Sequence, residues 1–125
     1  MKNKTIDRWH QILELRKPEL LEDLLSEEVV FHSPVVHTPQ IGKPITFKYL
    51  SAAFYVMYNN SFRYVREIIC DNNAALEFIV EIDGIIVNGI DLISWDENDK
   101  IVDFKVMIRP LQAINLIHQK MSMKL

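Results

Sequence analysis

Only one cysteine, Cys70, occurs in the chain, so no internal disulfide can staple it, and the Cys/His spacing of a zinc finger is missing as well. His32 and His37 have no third ligand placed beside them, so no metal is expected, and no cofactor. Basic residues never cluster beyond a pair, and 14 of them face 17 acidic ones for a net charge of −3. Phosphate backbones demand a basic patch, so nucleic acid is not an expected partner. No apolar run approaches the roughly 20 residues of a membrane-spanning helix. The start of the chain leads into a stretch with charges inside it, unlike the unbroken apolar segment of a secretory leader. The protein is therefore expected in the cytoplasm and off the membrane, with Cys70 as a small core hydrophobe.

What is present suffices for a core. With 125 residues, 49% hydrophobic and 25% charged, the chain has the size of one domain, 1–125, able to bury roughly two-thirds of its unfolded surface. Thr5 is placed to cap a first helix over 5–16, with Ile6, Trp9, Leu13 and Arg16 along one face. Pro18 opens a second helical turn whose apolar face is Leu20, Leu21, Leu24 and Leu25. Val29 to Phe31 form a short strand, followed by a loop punctuated by Pro39, Gly42 and Pro44. Phe47, Leu50, Phe54 and Met57 recur at helical spacing and predict a third helix over 46–58. From there to 110, segments split by Asp71-Asn72-Asn73, Asp83-Gly84 and 96–99 predict four strands in a meander. Pro110 starts a last helix that reaches Met121.

Asp83-Gly84 between Ile82 and Ile85 is the sharpest local signal, because a type I′ hairpin turn needs positive φ at both central residues. Partner numbers in an antiparallel pair sum to a constant, so Val80 lies opposite Val87, Phe78 opposite Gly89 and Leu76 opposite Asp91. One sheet face then carries Leu76, Phe78, Val80, Ile82, Ile85, Val87, Ile93 and Trp95, continued by Val102, Phe104, Val106 and Ile108, with Asp91 in their midst. The other face mixes Glu77, Glu81, Asn88 and Ser94 with Ile79, Ile86, Ile90, Leu92 and Met107, too apolar for a plain wet surface. Arg109 is expected there in a salt bridge, with Glu77 or with a partner subunit. A carboxylate on an apolar face is costly when ionised and unpaired. Asp91 should therefore have a partner, open onto a wet cavity, or titrate with a raised pKa. The raised pKa makes it a candidate general acid or base, whereas a hydrogen-bond partner makes it a strut between helix and sheet.

The order of elements, with Val29-Val30-Phe31-His32-Ser33-Pro34, Gly42 and Tyr49-Leu50 in the first half, resembles the nuclear transport factor 2-like superfamily, in particular its SnoaL-like branch. Gly84, Gly89-Ile90-Asp91, Trp95-Asp96-Glu97, Lys100-Ile101, Phe104 and 106–111 extend the resemblance over nearly the whole chain. It implies an α+β cone, a strongly curved antiparallel sheet wrapped around N-terminal helices with a pocket between, and homodimers formed through the outer sheet face. It does not imply one function, since one fold hosts many. Cyclases and isomerases of this kind use a pocket carboxylate to move a proton beside a carbonyl, a role that falls on Asp91. The isomerases add a Tyr and a protonated acid, and the spacing of Tyr49, Tyr55, Tyr58 and Tyr64 does not select the tyrosine. His32 joins Asp91 as a candidate for proton transfer, Ser33 as a ligand contact, and Tyr49, Phe54, Phe78, Trp95 and Phe104 as pocket walls. Two readings stay open: a protein that binds a small apolar molecule with acid–base chemistry at Asp91, and a non-catalytic binding or interaction module of the same fold.

Overall fold

The computed structural model describes residues 3–125. Helix α1 (Lys4–Leu15) leads through a 3-10 turn (Pro18–Leu20) and α2 (Leu21–Leu24) into β1 (Leu25–His32) and β2 (Gln40–Ile41). Then come α3 (Lys43–Met57), β3 (Arg63–Cys70), β4 (Asn73–Ile82), β5 (Ile85–Trp95), β6 (Ile101–Arg109) and α4 (Leu111–Lys124).

The cap of α1 is Asn3, not Thr5: the Asn3 side chain accepts from the Ile6 N–H at 3.1 Å. Thr5 is fully buried, and its hydroxyl donates to the Asp99 carbonyl at 3.2 Å, tying α1 to the β5–β6 turn. Arg16 leaves the apolar face, adopts a left-handed φ of 54° and ends the helix. Helix α3 starts at Lys43, earlier than 46, because Pro44 pre-sets helical φ in a first turn where its missing N–H is not needed.

The six strands lie in the order β2-β1-β6-β5-β4-β3. The sheet is mixed, not wholly antiparallel: β1 runs parallel to β6, while the other neighbours are antiparallel. It is strongly curved but not closed, with β2 and β3 as its edges. Strand β1 pairs with a segment some 70 positions away, Phe31 facing Phe104, and so extends well beyond the three residues its own composition marks. The β4–β5 hairpin has the expected register, Ile82 facing Ile85 and Leu76 facing Asp91, with Asp83 and Gly84 at φ of 51° and 79°. On the other side Asp91 faces Val106. A bulge between Ser94 and Trp95 shifts the far end of the β5–β6 pair, so Ile101 is fully buried and Val102 only half-buried.

The inner face packs in two clusters. The first gathers Trp9, Leu21, Leu24, Phe31, Leu76, Trp95, Ile101 and Phe104; the second joins Phe78, Val80 and Val87 to Met57, Ala113 and Ile117. Fully burying side chains of this kind contributes about 1.5–3 kcal/mol each. Phe78 lies so close under Gly89 that an added Cβ would stand 2.3 Å from its Cζ, so the cross-strand partner of Phe78 has to be glycine. Cys70 is exposed and not a core residue, because β3 is the outermost strand and almost all of it faces solvent. No helix among the described residues is long and apolar enough to cross a membrane.

Candidate functional site

Asp91 is 3% exposed on the inner face of β5, at the seam between the two clusters. It opens onto a cavity of about 30 Å³ walled by Phe31, Leu50 and Phe104 of the first cluster and by Met57, Ile117 and Met121 of the second, with Ser33 and Tyr58 completing it. That volume is far below the few hundred Å³ of an ordinary small-molecule site.

A chain of hydrogen bonds reaches Asp91 from the opposite side. Trp9 Nε1–H on α1 donates to the Tyr64 hydroxyl oxygen at 2.9 Å, and the Tyr64 hydroxyl on β3 donates to Asp91 Oδ2 at 2.7 Å. An indole nitrogen only donates, so the direction of the chain is fixed. Tyr58, one residue past α3, lines the Asp91 cavity. Edge-on ring contacts hold the tyrosines in place: Tyr58 against Phe54 at 4.5 Å and Phe62 at 4.4 Å, and Phe62 against Tyr64 at 5.2 Å. Asp91 Oδ1 receives no hydrogen bond from the described residues.

Burial pushes the Asp91 carboxyl up to about 7, against a smaller downward pull from the Tyr64 hydrogen bond. Both tyrosines are raised well above the ordinary phenol value, first by burial and then by the charge of Asp91. As residues Tyr58 and Tyr64 are only half-buried, but their hydroxyls lie at the buried end. At neutral pH the tyrosines therefore keep their protons, and Asp91 is the group that changes state.

Of the residues expected at a site, Ser33 and Phe104 line the cavity with Asp91. His32 does not join them. In β1 the side chains of Val29 and Phe31 are buried on the inner face, so the alternation turns His32 outward. There it faces Lys105 in the register, and its Nε2 lies 3.1 Å from Asp103 Oδ2. Tyr49 packs on Phe31 at 5.8 Å and Phe54 on Trp9 at 6.2 Å, supporting the site from behind. Phe78 and Trp95 are core residues that the cavity does not reach. Glu77 pairs with Arg66 at 3.4 Å, not with Arg109, which faces Asn88. Trp9, Tyr58 and Tyr64 were not singled out by the sequence pattern. Tyr64 faces Phe78 across β3–β4, but a bulge between Tyr64 and Arg66 breaks the alternation that would have assigned it to the inner face.

No protein-family model matches the chain, and no curated protein matches it. Among solved structures, a steroid delta-isomerase from Pseudomonas aeruginosa superimposes with a TM-score of 0.91 at 30% identity, over 96% of this chain and 88% of that one. The chain belongs to the nuclear transport factor 2-like superfamily. The chain is also similar to an uncharacterised bacterial protein with a cystatin-like fold from Silicibacter pomeroyi DSS-3, with a TM-score of 0.88 and 27% identity over 97% of this chain and 84% of that one. An NTF2-like protein of unknown function from Mesorhizobium loti shares the superfamily fold at 18% identity, with a TM-score of 0.73 over 86% of this chain and 89% of that one. None of the three singles out the SnoaL-like branch of the superfamily.

The raised pKa of Asp91 has a signature in stability. Between the ordinary carboxylate pKa near 4 and about 7, the unfolded chain has released this proton while the folded chain still holds it. Folding stability attributable to Asp91 is therefore complete below pH 4, falls as pH rises, and levels off above 7, a loss on the order of 4 kcal/mol. Denaturant unfolding of wild type and Asp91→Asn at pH 4 to 8 checks this: the variant should gain on wild type as pH rises, and parallel profiles would contradict it.

Proposed function

We propose that residues 1–125 form one SnoaL-like domain that binds a small, mostly apolar metabolite bearing a carbonyl, and that Asp91 moves a proton on that ligand. The observation that carries this reading is a buried carboxyl, titrating near neutrality, with one oxygen held by Tyr64 and the other open to the cavity. A group that holds its proton in about half the molecules near pH 7 suits taking a proton from the carbon beside a carbonyl and returning it further along. Asp91 is the one carboxylate lining the cavity among the described residues, so the same group would do both. Ser33 fits the ligand's carbonyl oxygen: its Oγ accepts from the Val35 N–H at 3.2 Å, and its own proton stays free. Tyr64 is committed to Asp91 and positions it. The likeness to a steroid delta-isomerase supports isomerase-type chemistry, and a cytoplasmic setting is part of the same reading.

The small cavity favours the alternative, a binding or interaction module without chemistry, because a metabolite enters about 30 Å³ only if side chains move. One experiment separates the two: incubation with a β,γ-unsaturated ketone, whose conversion to the conjugated enone is followed by ultraviolet absorbance, beside native mass spectrometry of the purified protein. Turnover that drops about 100-fold or more in Asp91→Asn is expected. An Asn variant as fast as wild type removes Asp91 from the chemistry, and a retained apolar ligand with no turnover selects the non-catalytic reading.

The same reading places a second copy on the outer sheet face, where Ile86 and Met107 are 53% and 48% exposed beside the half-buried Ile79, Ile90 and Leu92. Light scattering at micromolar concentration should give a dimer for wild type and a monomer for Met107→Asp, and a wild-type monomer rules this interface out.

A further inference from the structure

We propose that the open groove between α1 and β3 is a binding site for a small amphipathic anion, an apolar body carrying one carboxylate-like charge. The groove encloses about 450 Å³ against about 30 Å³ beside Asp91, and that is the size of a metabolite site. Its apolar surface comes from Leu13, Phe62 and the Tyr58 ring.

Two guanidinium groups stand at its rim, Arg16 and Arg63. Arg16 is held in place by two hydrogen bonds, Nη1 to the Tyr58 carbonyl at 3.1 Å and Nη2 to Asn60 Oδ1 at 2.9 Å. Both acceptors are neutral, so the guanidinium is oriented without being neutralised. Arg63 is exposed and makes no ion pair among the described residues. Of the two rim carboxylates, Glu67 is engaged by His10, with Nε2 2.7 Å from Oε1, although the pair lacks hydrogen-bond alignment. Neither guanidinium forms an ion pair with Glu14 or Glu67 among the described residues, so both forks are free for a ligand. Arginine's planar fork matches a carboxylate or sulfonate, and the aromatic floor supplies the apolar contact area. Tyr58 lines both this groove and the Asp91 cavity, so the apolar end of such a ligand lies one ring from Asp91. The site stands whether or not Asp91 carries out chemistry.

The test compares 8-anilinonaphthalene-1-sulfonate with uncharged N-phenyl-1-naphthylamine, which has the same apolar body, by fluorescence titration of the folded protein. The sulfonate should bind about tenfold more tightly than the neutral probe. Arg63→Gln and Arg63→Glu should each remove that advantage while near-ultraviolet circular dichroism stays unchanged, and Asp91→Asn should leave it intact. Equal binding of the two probes, or sulfonate binding that survives Arg63→Glu, overturns the proposal. Binding lost only in Asp91→Asn would put the probe in the inner cavity, which also overturns the groove site but leaves the Asp91 reading standing.

Discussion

The Trp9 indole N–H is completely buried and can only donate, and much of the polar interior follows from where it finds an acceptor. The Tyr64 hydroxyl takes that bond and must then place its own proton, and Asp91 Oδ2 receives it. An apolar residue at position 91, in keeping with Leu76, Phe78 and Ile93 around it, would leave the Tyr64 hydroxyl without its acceptor in the core. This explains how a carboxyl survives on that face. The strut and the acid are also the same group. Oδ2 closes a chain that ties α1 to β3 and β5, while Oδ1 is left to the cavity and to the proton that burial forces onto it near neutral pH.

Packing then decides how that oxygen meets a ligand. The two core clusters nearly close over Asp91, leaving about 30 Å³, whereas a much larger volume opens on the other side of Tyr58. Tyr58 belongs to both volumes, with its ring between Phe54 and Phe62. The aromatic row Phe54, Tyr58 and Phe62 thus stands between groove and cavity.

Local rules carried much of the architecture. The Asp83-Gly84 turn fixed the β4–β5 register and placed Asp91 opposite Leu76, since one turn with positive φ determines every pair behind it. Contacts between distant segments were not legible. The parallel β1–β6 pairing joins Phe31 to Phe104 without any turn to announce it, and the length of β1 went unseen with it. The two bulges had the same effect, at Ser94 where Ile101 replaced Val102 inside, and at Tyr64 where the partner of Asp91 dropped out of the alternation. His32 directly follows the inward Phe31, but a single step of strand alternation puts it on the far face, against Asp103. The acid could be found from a hairpin, but its tyrosine and tryptophan depend on three elements meeting in space.

Burial, tempered by the Tyr64 hydrogen bond, holds the Asp91 carboxyl near neutrality. A ¹³C NMR titration of the aspartate carboxyl carbons, assigned through Asp91→Asn and repeated in Tyr64→Phe, measures this directly. The expected midpoint is about 7 in the wild type and higher in Tyr64→Phe, where the one downward pull is gone. A wild-type midpoint in the ordinary aspartate range near 4, or one that Tyr64→Phe leaves unmoved, would contradict the account.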